Sequence, residues 1–140
     1  MRATPALVLA LLAACSSVAE PGVFAVAPDL DEPFTLRVGE AARIDAAGLS
    51  IRFISVPTDS RCPSNALILC VWEGDAGVAI ELAPLQGDAA LDTLHTTLDP
   101  KSRNVGVGRL RLERLDPYPE DVTPIPAGEY RATFIVEEHA

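Results

Sequence analysis

Hydrophobic and polar residues alternate along this chain in short runs. Phe34, Leu36 and Val38 fall on one side of an extended segment, and Thr35 and Arg37 on the other, the signature of a half-buried strand. Gly39-Glu40 marks a turn. Leu49, Ile51 and Phe53 resume the alternation after Gly48. Ile54 and Val56 fall out of phase with them, which predicts a bulge near Phe53. Val78, Ile80 and Leu82 alternate with Ala79 and Glu81, and Pro84 to Asp88 read as a turn. The threonine-rich run from Leu91 to Leu98 is a further predicted strand. Val105 and Val107, then Leu110 and Leu112, form another, with Arg109, Arg111 and Glu113 outward and an irregularity near Gly108. The last run is the clearest: Tyr130, Ala132, Phe134 and Val136 share one face, Arg131, Thr133 and Glu137 the other. Four prolines crowd DPYPEDVTPIP, so Pro117 to Pro126 is read as a surface loop or polyproline II stretch. Outside the cytoplasm a rigid connection is expected there, ahead of an SH3-type ligand.

These spacings predict an all-β fold, an immunoglobulin-like β-sandwich of about seven strands over residues 33–140. No internal repeat is visible. The length of 140 residues fits one domain, and a hydrophobic fraction of 49% can supply its core. Twelve prolines and nine glycines favour many turns over long helices. A net charge of −9 argues against nucleic acid, since phosphate contacts need clustered Lys and Arg. No run of about 18 apolar residues exists, so no transmembrane helix is expected.

The first residues, MRATPALVLALLAAC, combine Arg2 with an apolar run from Ala6 to Ala14 of signal-peptide length. Leu12-Ala13-Ala14-Cys15 resembles the lipobox of bacterial lipoprotein signal peptides. That resemblance implies cleavage after residue 14, a diacylglycerol on the Cys15 thiol and acylation of the new amino group by a chain such as palmitate. Ser16, in place of Asp after the cysteine, implies sorting to the outer membrane of a two-membrane cell. The competing reading is Ser17-Val18-Ala19, a small-x-small pattern at which an ordinary signal peptidase would cut before Glu20. The lipoprotein reading is preferred because Cys15 directly follows the apolar run and two small residues.

Residues 15–32 then read as a flexible tether. Pro21, Gly22 and Pro28 break structure, and Asp29, Asp31 and Glu32 are solvated charges. A calcium loop at DLDE lacks the Gly and closing Glu of an EF-hand.

Little catalytic chemistry is indicated. His95 and His139 are the only histidines, and His139 lies at the C-terminus. A Ser-His-Asp triad would have to use His95, whose simpler reading is a polar side chain on a strand. Cys62 and Cys70 lack zinc-knuckle spacing and a second ligand pair. No G-x-S-x-G elbow and no P-loop occurs. Twenty carboxylates leave room for a hydrolase pair, but nothing singles out two of them. No metal and no cofactor site is expected.

The segment Asp59 to Gly74, DSRCPSNALILCVWEG, holds two of the three cysteines and the single tryptophan. In an oxidising compartment, and with Cys15 acylated, Cys62 and Cys70 remain as a pair. Seven intervening residues exclude a C-x-x-C redox motif. Leu67, Ile68 and Leu69 are read as leading into a strand that carries Cys70 and Trp72. Asp59 suits a turn cap, and Arg61 can pair with Asp59, Glu73 or Asp75. Trp72 can cover the disulfide, and Gly74 can adopt positive φ. The alternative is that Arg61 and Trp72 form a binding edge, both types being favoured at interaction hot spots.

Asp59, Ser60, Arg61, Cys62 and Pro63, followed by Cys70, Trp72 and Gly74, resemble a group of bacterial exported proteins and lipoproteins with a DSRCP segment, a second cysteine and W-x-G. The terminal YRATFIVE strand extends the likeness. The spacer Ser64 to Leu69 is more apolar than that pattern. The resemblance implies a β-rich exported domain with a loop disulfide, and brings no activity with it. The resulting expectation is a non-enzymatic, lipid-anchored envelope domain that binds an envelope protein or serves structure. Two other classes stay open: an inhibitor or small-ligand binder using the Cys62–Cys70 loop, and a carboxylate-based envelope hydrolase.

Overall fold

The computed structural model describes residues 23–139; Cys15 and the segment expected as a signal peptide lie outside the described residues. Among the described residues, eight strands form two four-stranded antiparallel sheets. They are β1 (Phe34–Arg37), β2 (Ala41–Ile44), β3 (Leu49–Asp59), β4 (Ala76–Pro84), β5 (Ala90–His95), β6 (Ser102–Val105), β7 (Gly108–Asp116) and β8 (Arg131–Glu138). One sheet has the order β2-β3-β4-β5, the other β1-β8-β7-β6. The protein is an all-β sandwich, with eight strands where the periodicity predicts about seven. Strands β2 to β5 neighbour each other in sequence order, as do β6 to β8, and β1 pairs with β8. In the immunoglobulin arrangement the second strand lies beside the fifth. The layers are thus those of a sandwich, with a connectivity of its own.

The alternating pattern explains which side of each strand is buried. Phe34 and Leu36 of β1, Ile51 and Phe53 of β3, Val78 and Ile80 of β4, and Ala132, Phe134 and Val136 of β8 meet between the sheets. Phe134 stands at the centre, edge-on to Phe53 with ring centroids 6.5 Å apart and tilted against Phe34 at 5.9 Å. β3 carries the bulge expected near Phe53, with register shifts between Phe53 and Ser55 and between Ser55 and Thr58. The phase change near Gly108 is instead a hairpin turn: β6 ends at Val105 and β7 begins at Gly108.

Three expectations need correction. β2 is a strand that the hydrophobic pattern does not reveal, because Ala41 and Ala42 are small and Arg43 interrupts the run. No strand carries Cys70 and Trp72; β4 starts only at Ala76. The tether expected over 15–32 does not describe residues 23–32. Ala25 N–H donates to Ala41 O at 2.8 Å and Arg43 N–H to Val26 O at 3.0 Å, so the segment pairs in parallel with β2. Asp31 N–H donates to Val136 O, and Val26 and Leu30 pack on the core. The signal was there: Val26, Pro28 and Leu30 alternate with charged or small residues, and Pro28 is buried. This docked segment also shields the edge of β2.

Candidate functional site

The chemistry-bearing residues gather at one end of the sandwich, around the long β3–β4 connection, residues 60–75. Arg61 is the anchor. It is 7% exposed, and the Asp59 carboxylate beside it is 13% exposed although the Asp59 backbone lies at the surface. Arg61 Nε–H donates to Asp59 Oδ1 at 2.8 Å and Nη2–H to Oδ2 at 2.7 Å, a two-point pairing only a guanidinium can make. Its remaining donors cross to the other sheet. Nη1–H donates to the Leu115 carbonyl at 2.7 Å and Nη2–H to that of Pro117 at 3.0 Å. The Tyr118 ring lies under the guanidinium, 5.2 Å from its carbon. Tyr130 O–H donates to Asp59 Oδ2 at 2.9 Å. Burial would raise the Asp59 carboxyl, but the Arg61 and Tyr130 hydrogen bonds and the Arg61 charge outweigh it and hold it below its ordinary value. Burial and the bond to Asp59 push the Tyr130 hydroxyl up to about 12.

A second cluster fixes the other foot of the connection. Ser60 N–H and Ser60 Oγ–H both donate to the Asp75 carbonyl, at 2.7 and 3.0 Å. The Asp75 side chain turns inward, where Oδ1 accepts from the Thr97 and Leu98 amides at 2.9 and 3.1 Å. Its Oδ2 lies 2.6 Å from His95 Nδ1. Burial works against the Asp75 carboxylate, yet the His95 bond and the two amides hold it below its ordinary value. An ionised carboxylate only accepts, so Nδ1 carries the proton. This is the Asp–His half of a triad, but among the described residues no hydroxyl or thiol donates to His95 Nε2. Ser60 is committed to the Asp75 backbone. A general acid needs a carboxyl raised toward neutrality; Asp59 and Asp75 are both lowered. Among the described residues no three His, Cys, Asp or Glu side chains are grouped to hold a metal.

Gly74 closes the lock. Its φ is +76°, and a Cβ there would lie 1.9 Å from the Ser60 carbonyl oxygen. Only glycine lets the returning chain pass over Ser60. Cys62 N–H donates to Glu73 O at 2.8 Å, just above this crossing.

Beyond the lock the loop faces solvent. Cys62 and Cys70 form a disulfide. Leu67 is 91% exposed, Leu69 95% and Val71 fully, while Trp72 is 51% exposed. Cys70 is exposed too, so the bridge is a surface staple and Trp72 does not bury it as an immunoglobulin-type tryptophan would. The loop backbone bonds to the proline-rich segment instead of to a strand. Ser64 N–H donates to Pro119 O at 2.9 Å and Asn65 N–H to Glu120 O at 3.1 Å. An open groove of about 450 Å³ runs between these two loops, with Asp59, Arg61, Ile125 and Tyr130 in its walls. Of its polar groups, the Asp59 carboxylate is already bonded to both Arg61 and Tyr130.

Arg61 and Trp72, paired as a candidate binding edge by the sequence, are therefore separated: Arg61 faces inward and Trp72 outward. The sequence does not indicate the ties of Arg61 to the Leu115 and Pro117 carbonyls and the Tyr118 ring, the Tyr130–Asp59 bond, or the Asp75–His95 pairing. No protein-family model, curated protein or solved structure matches this chain.

Proposed function

We propose that this chain is a non-enzymatic interaction domain of a bacterial cell envelope, anchored by lipid at Cys15 and acting through the tip of the 60–75 loop. The supporting observation is the contrast between the loop's foot and its tip. The foot is fixed by Arg61, Asp59, Ser60, Asp75 and Gly74. The tip presents Leu67, Leu69 and Val71 almost wholly to solvent. Exposed apolar side chains gathered on a covalently clamped loop mark an interaction surface, and pre-ordering lowers the entropy lost on contact. The Cys15 anchor follows from the lipobox resemblance, and Ser16 favours the outer membrane.

Labelled palmitate is expected to enter the wild type and not Cys15→Ala. A photo-reactive side chain placed at Leu69 is expected to give adducts in envelope fractions. The same group at Arg109, on the opposite end of the sandwich, is the control. Equal palmitate labelling of both proteins refutes the anchor. Equal adducts from positions 69 and 109 refute the loop as the interaction element.

A further inference from the structure

We propose that the occupant of the apolar loop tip is the lipid bilayer that holds the Cys15 anchor; this deepens the proposed function and rests on it. The strand registers fix the geometry. The N-terminal segment runs parallel to β2, with Ala25 bonded to Ala41 and Val26 bridged to Ala42. β2 is antiparallel to β3, with Ala41 opposite Arg52 and Ile44 opposite Leu49. Going backward from Val26, the chain therefore heads along β3 toward Asp59, where the loop begins. The other sheet agrees. Arg37, at the end of β1 that leads into β2, pairs with Arg131, and Arg131 pairs with Asp116. Arg61 donates to Leu115 and Pro117 on either side of Asp116. The described chain thus begins at the loop end of the sandwich.

Cys15 and Val23 are eight residues apart in sequence, a span of at most about 29 Å when fully extended. A lipid on Cys15 consequently holds the membrane within reach of that end. The tip has matching chemistry. Residues 62–72 carry no charged side chain, and the run includes Leu67, Leu69, Val71 and Trp72. Tryptophan favours the membrane–water boundary. Glu73, Glu120 and Asp121 flank the tip, and the chain is acidic overall. The contact is accordingly shallow and apolar, without electrostatic attraction to anionic lipid.

The single tryptophan reports the contact directly. The full-length acylated protein is reconstituted into phosphatidylcholine vesicles with brominated or unlabelled acyl chains, and acylation is checked by intact mass. The expected result is a blue shift of Trp72 emission, its loss in brominated vesicles, and protection from acrylamide. Leu69→Asp, changed at a fully solvated side chain, is expected to stay acylated and vesicle-bound while the bromine quenching falls. An acylated wild type whose Trp72 stays unquenched by brominated chains and open to acrylamide overturns the membrane contact and leaves the anchor standing. Protection of Trp72 in envelope fractions but not in pure lipid vesicles overturns it in favour of a protein partner. An unacylated wild type overturns both readings.

Discussion

Arg61 reaches Asp59 at two points, Nε to Oδ1 at 2.8 Å and Nη2 to Oδ2 at 2.7 Å, and from there bonds the β7 end of the opposite sheet. One side chain thereby joins the last residue of β3 to Leu115 and Pro117, more than fifty positions away. Breaking a buried pair by removing one partner leaves a charge without compensation. Arg61→Ala is expected to destabilise the domain by about 3–5 kcal/mol in denaturant titrations. Arg61→Lys is expected to recover little, because an ammonium cannot match both carboxylate oxygens and both carbonyls.

Tyr130 adds an alkaline limit. Its hydroxyl is raised from 10.0 to about 12 by burial and by its bond to Asp59. The folded state thus prefers the protonated phenol. That contribution is fully present below pH 10 and is lost as pH rises from 10 to 12. Tyr130→Phe is expected to remove this limb from the stability profile. At neutral pH it should cost about 1.5–3 kcal/mol, the usual range for a hydrogen bond to a charged group.

On the acid side the two carboxylates of the loop foot, Asp59 and Asp75, contribute, both held below their ordinary value of 3.8. Their contribution is present above that value and is lost as pH falls through the depressed folded values. Thermal melts from pH 6 downward should therefore fall below about pH 4. Asp75→Asn should flatten part of that fall, and should also loosen the turn at Thr97 and Leu98, seen as faster amide exchange there. An unchanged acid limb in both Asp75→Asn and Asp59→Asn would contradict the assignment.

Much of the sandwich is legible in sequence because burial on one side of a strand imposes period two. β8 shows this best, from Ala132 to Val136. β2 is hidden because two alanines give too little contrast. The loop misleads for the opposite reason: Leu67, Ile68 and Leu69 look like strand interior, but no neighbouring strand is available to pair with them. The site is half legible. Asp59 and Arg61 are two residues apart, and the positive φ of Gly74 is a local property. The other partners of Arg61 are backbone carbonyls, 54 and 56 positions away, and Tyr130 is 71 positions from Asp59. Carbonyls carry no residue signature, and Tyr130 reads as core because its ring is core. Only its hydroxyl reaches the site.

Gly74→Ala tests the crossing over Ser60. The new methyl would sit 1.9 Å from a backbone oxygen, and the residue would keep φ at +76°. The atoms it meets, in Ser60 and Arg61, are all backbone, so the backbone itself must move. The expected loss is about 2–4 kcal/mol, from overpacking and the left-handed conformation together. Gly39→Ala is the control, since its φ of +89° carries the conformational cost but nothing lies within 4 Å of the added carbon. A larger loss at Gly39 than at Gly74 would place the strain in the torsion and not in the Ser60 contact.

The disulfide and the lock act on different parts of the same loop, and removing the bridge should separate them. Cys62 and Cys70 close nine residues counting both ends, for which the loop-entropy relation gives about 2.5 kcal/mol. Cys62→Ser with Cys70→Ser is therefore expected to lower stability by less than Arg61→Ala. The foot should persist, because Ser60 and Asp75 are joined by backbone and side-chain bonds that do not involve sulfur. Amide exchange is expected to rise over residues 64–72 and to stay slow at Ser60 and at Ala76, whose N–H donates to Thr96 Oγ1. Equal loss of protection at Ala76 would mean that the bridge, and not Arg61, holds the β3–β4 end of the sandwich together.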